Sequence, residues 1–264
     1  MSDPIIEVEN RGAAAWLWLN RPAQHNALNE ELIRELTLVV RGLGDDPAVR
    51  VIVLAGRGRS FCAGADIESM KRQGEAGAAE NRDSARELAD LFHAIAWSPK
   101  PTIARVQGAA IGGGLGLVTA CDVAIASNDA KFAASEVRLG LIPATIGPYV
   151  VRAIGARWAR RLFQTAERIA AAQAERIGLV HEAVDPDAVD PRVEAIVNDL
   201  LAGAPGAQHA AKELIDAVAG RPITAELIEY TAERIASIRS QYEAREGLSA
   251  YLEKRKPEWA PPQP

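Results

Sequence analysis

Two short segments rich in glycine and alanine, each following a β-branched run, carry the chemistry for which this chain is best equipped. The first is Ser60-Phe61-Cys62-Ala63-Gly64-Ala65-Asp66-Ile67, after Val49–Leu54; the second is Gly108-Ala109-Ala110-Ile111-Gly112-Gly113-Gly114-Leu115-Gly116, after Thr102–Val106. Small residues admit a ligand to the backbone, and a helix starting just beyond leaves free N–H groups pointing at it. Two such loops side by side can aim two donors at one oxygen. That suits a carbonyl gaining negative charge, such as a thioester, where each well-placed donor contributes roughly 3–4 kcal/mol in the transition state. The plainer reading of Gly112-Gly113-Gly114 is a tight turn with close helix packing. A dinucleotide fingerprint is discounted, because the segment lies too far along the chain and has the wrong spacing for a first βαβ unit.

The elements that must position these loops alternate. Ile5–Glu9 and Ala14–Leu19 read as paired strands, with Trp16 and Trp18 on one face at period two. Asn29 stands at an N-cap ahead of Glu30 and Glu31, and Leu32, Leu36, Val39, Val40 and Leu43 follow at helical spacing. Val49–Leu54 and Thr102–Val106 read as strands buried on both faces. Ser84-Ala85-Arg86-Glu87 has the form of a capping box opening a helix with Leu88, Leu91, Phe92 and Ile95 on its apolar face. The segment from Gly108 to Gly116 turns from strand into helix, and Val123–Ala126 and Lys131–Ala133 return to strand. This repetition is an α/β signature. From about residue 191 the pattern becomes helical: Pro191–Ala202, Ala207–Ala219, Ala225–Arg239 and Gln241–Lys254. We therefore expect a core over 1–190 and a helical region over 191–264, with a frayed tail Ala260-Pro261-Pro262-Gln263-Pro264.

With 264 residues, a net charge of −5 and 48% hydrophobic residues, the chain can bury a core without cross-links, and it lacks the basic face that nucleic acid requires. Cys62 and Cys121 show no CxxC spacing, which fits a reducing, cytoplasmic setting. No apolar run reaches membrane-span length, and Met1-Ser2-Asp3-Pro4 has no secretory character. His25, His93, His181 and His209 show no zinc spacing.

Taken together, Asn20-Arg21-Pro22 with Asn26-Ala27-Leu28, Phe61 to Ile67, Gly112-Gly113-Gly114, and Ser135-Glu136-Val137-Arg138-Leu139-Gly140-Leu141-Ile142-Pro143 resemble the crotonase (enoyl-CoA hydratase/isomerase) superfamily. The resemblance runs from about residue 5 to the ending Glu246 to Arg255, and the order of motifs is specific. It implies a ClpP/crotonase-like spiral of ββα units, a C-terminal helical region used in homotrimers often paired into hexamers, and a coenzyme A thioester as substrate with no metal or redox cofactor. It further implies that Ala65 and Gly113 supply the oxyanion N–H groups. Gln24, His25, Asn26 and Ala27 match the segment approaching the CoA nucleotide, and Ala63, Gly64, Ala65, Asp66 and Ile67 lie along the pantetheine and thioester, with Gly112 beside them.

Hydration of an α,β-unsaturated thioester needs water activated at Cβ and a proton delivered to Cα, a task two carboxylates can divide. By resemblance, one family glutamate falls at Glu136 and the other at a position occupied here by Gly116. Alone, Glu136 beside Arg138 reads as a surface residue or ion-pair member; its place in the motif makes it the catalytic candidate. Gly116 is expected to leave room beside the acyl chain. The run Gly114 to Leu117, Ser135 to Ala144 and Gly147 to Val151 resembles bacterial 3-methylglutaconyl-CoA hydratase-like members of leucine and acyclic-terpene catabolism, which implies a branched, carboxylated substrate. Two other readings stay open: a Δ3-Δ2 enoyl-CoA isomerase using Glu136 as its single base, and a catalytically silent acyl-CoA-binding member. Asp66 reads as a helix cap, Arg105 and Arg138 as structural ion-pair members, and Cys62 as a packing residue.

Overall fold

The structure is a computed structural model, and residues 3–260 are described. The proposed tail beyond Ala260 and the first two residues lie outside that range. Contacts divide the chain into two units, with the change between Ala195 and Ile196.

In the first unit, strands β1 (Ile6–Arg11) and β2 (Ala14–Leu19) form an antiparallel hairpin about Gly12. Strand β3 (Val51–Gly56), β4 (Thr102–Val106), β6 (Val123–Ser127) and β9 (Glu182–Val184) then add in parallel, giving the order β1-β2-β3-β4-β6-β9. Every residue of β2 and β3 is buried, as expected of a sheet covered on both faces. The rings of Trp16 and Trp18 stack at 5.7 Å, and the guanidinium groups of Arg11 and Arg57 lie 3.9 and 4.0 Å from the respective ring centres.

The crossovers are helical. Helix α1 (Glu30–Asp45) is capped as expected, with the Asn29 side chain accepting from Leu32 N–H. Helices α2 (Ile67–Glu75) and α3 (Ala78–Ala96) connect β3 to β4. A second, three-stranded sheet of order β5-β7-β8 holds β5 (Ala109–Ile111), β7 (Lys131–Ala133) and β8 (Ile169–Ala170). Between β5 and β6 runs helix α4 (Gly113–Ala120), and α5 (Gly147–Thr165) and α6 (Ala171–Arg176) flank β8. Strand pair followed by helix, repeated, is the anticipated ββα arrangement.

Two local expectations need correction. Gly108 to Gly116 is not a simple strand-to-helix turn, because Ala109–Ile111 forms a strand of its own before Gly112. Ser84 does not cap a helix: α3 starts six residues earlier, after Gly77, and Ser84 sits inside it. The Ala78-Ala79-Glu80 stretch propagates helix well, so a Ser-x-x-Glu pattern inside it does not mark a start.

The second unit is helical. It comprises most of α7 (Val189–Ala202), then α8 (Pro205–Val218), α9 (Ala225–Arg239) and α10 (Tyr242–Leu252). Glu246 is buried there and is bracketed by Arg255, whose Nη1 and Nη2 donate at 2.6 and 2.8 Å.

Candidate active site

The two small-residue loops meet backbone to backbone. Cys62 pairs with Ala110, its N–H donating to Ala109 O at 2.9 Å and its carbonyl accepting from Ile111 N–H at 3.0 Å. Leu28 pairs with Ala65 through Leu28 N–H to Gly64 O (2.7 Å) and Asp66 N–H to Leu28 O (2.9 Å). Gly112 N–H donates to Ala133 O at 2.8 Å, bringing in the segment that ends at Glu136. Four sequence-distant segments, at Leu28, Cys62–Asp66, Ala109–Gly112 and Ala133, are thus joined backbone to backbone.

Glycine is required where these backbones touch. A Cβ on Gly114 would stand 2.2 Å from Cys62 O, and one on Gly64 (φ +97°) would stand 2.8 Å from Ile111 O. The gain is two unsatisfied donors. Among the described residues neither Ala65 N–H nor Gly113 N–H has a hydrogen-bond partner, Gly113 because it opens α4.

Both residues line a cavity of about 480 Å³, together with Ala63, Gly64, Gly112 and Glu136. Glu136 opens a short 3₁₀ turn that Gly140 ends in the left-handed conformation. Its Oε1 lies against Gly112, where a Cβ would come within 3.3 Å. Its Oε2 is buried and has no partner among the described residues. Burial, only partly offset by its own backbone N–H, pushes the carboxyl above the ordinary glutamate range. An acidic oxygen left without a partner in a cavity is open to a hydrogen bond or a proton from a bound molecule.

Not every expected site residue faces this cavity. Ile67 is on its rim and 83% exposed. Asp66 caps α2 instead, accepting from Glu68 N–H, Ser69 N–H and Arg21. Although burial alone would raise it, the Ser69 N–H and the Arg21 guanidinium hold its carboxyl below the usual range. Gln24 is exposed on the turn Pro22–Gln24, and His25 lies between Ser60 Oγ (3.0 Å) and Arg59 Nη2 (2.8 Å). This segment stands beside the first loop through Ala63 N–H to His25 O at 3.0 Å, outside the cavity wall. Ala27 is buried next to it.

The Asn26 side chain does not line the cavity. It is fully buried, accepts from Arg21 N–H, and donates to the carbonyls of Arg57, Ser60 and Phe61 at 3.0, 2.8 and 3.1 Å. Its role is to fold the first loop. Asn26→Ala should lower stability by about 3 kcal/mol, since it strands buried carbonyls, and thermal melting will read this directly.

Gly116 is also reassigned. It does not line the cavity, and the space beside it is already filled: a Cβ would meet Ile146 Cγ2 at 2.4 Å and Phe92 Cε1 and Cζ at 2.8 Å. The glycine therefore opens no room for an acyl group. Phe92 reads in the sequence only as part of an apolar helix face, and no local signal marks Ile146 as its neighbour at Gly116.

Arg105 bonds Asp190 at 2.6 Å, as a structural pair should, whereas Arg138 is exposed with no ion pair among the described residues. Cys62 is wholly buried and its thiol is pushed up to about 12 by that burial, which removes it as a nucleophile at neutral pH. No helix among the described residues is long and apolar enough to cross a membrane.

Residues 9–262 match the family model described as Enoyl-CoA hydratase/isomerase, so the chain belongs to that family, the crotonase superfamily, and has its α/β fold. Among its relatives, a crotonyl-CoA hydratase of Syntrophomonas wolfei is 36% identical over 257 residues, covering 96% of this chain and 95% of the relative. A short-chain-enoyl-CoA hydratase of Clostridium acetobutylicum is 34% identical, with 95% of each chain covered. The crystal structure of an enoyl-CoA hydratase from Shewanella pealeana superposes with a TM-score of 0.94 at 39% identity, covering 97% of this chain and 96% of that one.

Proposed function

We propose that this enzyme hydrates a 2-enoyl-CoA thioester, with Ala65 N–H and Gly113 N–H holding the thioester oxygen and Glu136 moving the proton. The observation that carries the reading is the combination of two unpartnered loop N–H groups and one unpartnered buried carboxyl oxygen on a single cavity. Polarisation by the two donors stabilises negative charge as it develops on the thioester oxygen. Ionised Glu136 takes a proton from water as the water oxygen bonds Cβ, and returns a proton to Cα as the enolate collapses. Gln24 to Ala27 and Ala63 to Ile67 are the segments we assign to the CoA portion, with Asn26 and Asp66 acting through the backbone they fix.

Activity should then depend on the ionised form of Glu136. Since its carboxyl is held above the ordinary range, the acidic limb of kcat/KM should titrate at higher pH than a free glutamate would, and the limb should vanish in Glu136→Gln. A limb at the ordinary glutamate position would contradict this.

The acyl group that suits this cavity is uncharged. Among the described residues no Lys, Arg or His lines it, while Met70, Leu88, Leu141 and Ile142 do. A second carboxylate, as in 3-methylglutaconyl-CoA, would stand near Glu136 with no cation to offset it. We therefore keep a branched or straight apolar chain and set the carboxylated one aside. The isomerase reading retains one specific support: Phe92 and Ile146 fill the side of Gly116, so the cavity works with a single acid, which is enough to shuttle a proton between carbons. Incubating the enzyme with 2-enoyl- and 3-enoyl-CoA thioesters separates the two by product, a 3-hydroxyacyl-CoA or a shifted double bond. No turnover of either, with acyl-CoA still bound, would favour the silent binder.

For assembly we propose a homotrimer or a hexamer, supported by exposed apolar groups on the helical unit, Ile223, Tyr251 and Leu252 among them. Sedimentation in solution distinguishes the two. Two cysteine thiols without a disulfide support a cytoplasmic setting.

A further inference from the structure

One wall of the cavity is made by facing stretches of α2 and α3. Residues three and four apart on a helix share a face, which places Met70 and Gln73 on the α2 side and Ser84, Ala85 and Leu88 on the α3 side. The wall mixes apolar and neutral polar groups and carries one polar pair, Gln73 Nε2 donating to Ser84 Oγ at 2.9 Å. Of the other polar groups nearby, Ser69 Oγ donates to Glu30 and accepts from Arg72, and Asn81 donates one Nδ2 hydrogen to Ala76 O while its Oδ1 has no partner among the described residues. After their mutual bond, Gln73 Oε1 and the Ser84 hydroxyl hydrogen have no partner among the described residues. The pair therefore offers a neutral acceptor at Gln73 Oε1 and neutral donors at the second Gln73 Nε2 hydrogen and the Ser84 hydroxyl, on a wall with no charged group.

We infer that Gln73 and Ser84 are specificity residues that read an uncharged oxygen substituent, a hydroxyl in the first instance, on the acyl chain. The inference rests on the acyl-thioester reading of the cavity. A hydroxyl both donates to Gln73 Oε1 and accepts from Ser84 in place of water, whereas a carboxylate leaves Gln73 Oε1 without a donor and finds no cation on the wall to offset its charge. The position of Ser84 within α3, instead of at its start, is what makes its hydroxyl available for this role.

The test is calorimetric titration of chain-matched saturated acyl-CoA thioesters, with and without one hydroxyl group placed in turn at positions beyond C3, so that none is a product of hydration. At one position the hydroxylated thioester should bind about 3- to 10-fold tighter than its plain counterpart, the range of one or two net hydrogen bonds. That ratio should fall to near one in Ser84→Ala and, separately, in Gln73→Leu. If no hydroxylated chain gains affinity, or the gain survives in both variants, the inference is overturned. Saturated thioesters cannot be hydrated, so this result stands apart from the turnover assays: loss of the hydroxyl preference with hydration intact defeats only the specificity assignment, and absent hydration with the preference intact defeats only the proposed reaction.

Discussion

Glu136→Gln should reduce hydration by about 10²- to 10⁴-fold, the usual contribution of a positioned proton-transfer group, while leaving acyl-CoA binding nearly unchanged. The substitution is close to isosteric. It keeps the shape of the side chain beside Gly112 and removes the ability to take and give a proton. It also has a stability consequence whose sign is fixed. Burial raises the folded-state pKa of Glu136 above its unfolded value, so its contribution to stability is fully present at low pH and is lost as pH rises through the folded value. Glu136→Gln escapes that loss. Above the raised pKa the variant should melt at a higher temperature than the parent, and the gap should close in acid. An enzyme that is both inactive and more stable is the signature of a functional group held at a cost. Substantial hydration retained by Glu136→Gln would remove this residue from the mechanism.

The second large effect concerns Gly116. If the family's second carboxylate were simply missing, Gly116→Glu would be the obvious way to restore it. The packing says otherwise. The first side-chain atom already overlaps Ile146 and the Phe92 ring, and the carboxylate beyond it would be pressed among apolar groups with no counter-charge. Overpacking and an unpaired buried charge together should cost on the order of 4 kcal/mol or more. For a chain of this size that corresponds to a fall in Tm of about 10 °C, with hydration lost and not gained. Scanning calorimetry with a parallel crotonyl-CoA assay checks both. A variant that is as stable as the parent and faster would mean that Phe92 and Ile146 yield readily, and the single-acid account would fail.

The contrast between these two positions marks what could be read from the chain. Glu136 stands out as a candidate because its motif is contiguous, and the strands that present the loops are legible because their apolar runs are unbroken. The capped start of α1 followed from Asn29 alone. Gly116 was misjudged because the meaning of an absent side chain depends on what occupies its place, here Phe92 and Ile146, one on each side of it in sequence and both ordinary core residues by type. Asn26 depends on its surroundings in a similar way: a short amide that sorts three distant carbonyls cannot be told from a ligand contact without the loop it folds. Ser84 failed for a local reason. A capping pattern competes with helix propensity on its N-terminal side, and two alanines and a glutamate won.

The burial of Cys62 bears on how this protein can be handled. Its thiol is in the wall between the two loops, has no exposed surface, and stays protonated through neutral pH. Alkylating reagents and peroxides attack thiolates, so they should pass over it in the folded chain and react first at Cys121, which is partly accessible. One fluorophore or spin label per chain can therefore be attached at Cys121 without mutating the catalytic loop, and delayed modification of Cys62 would report the moment at which the two loops come apart.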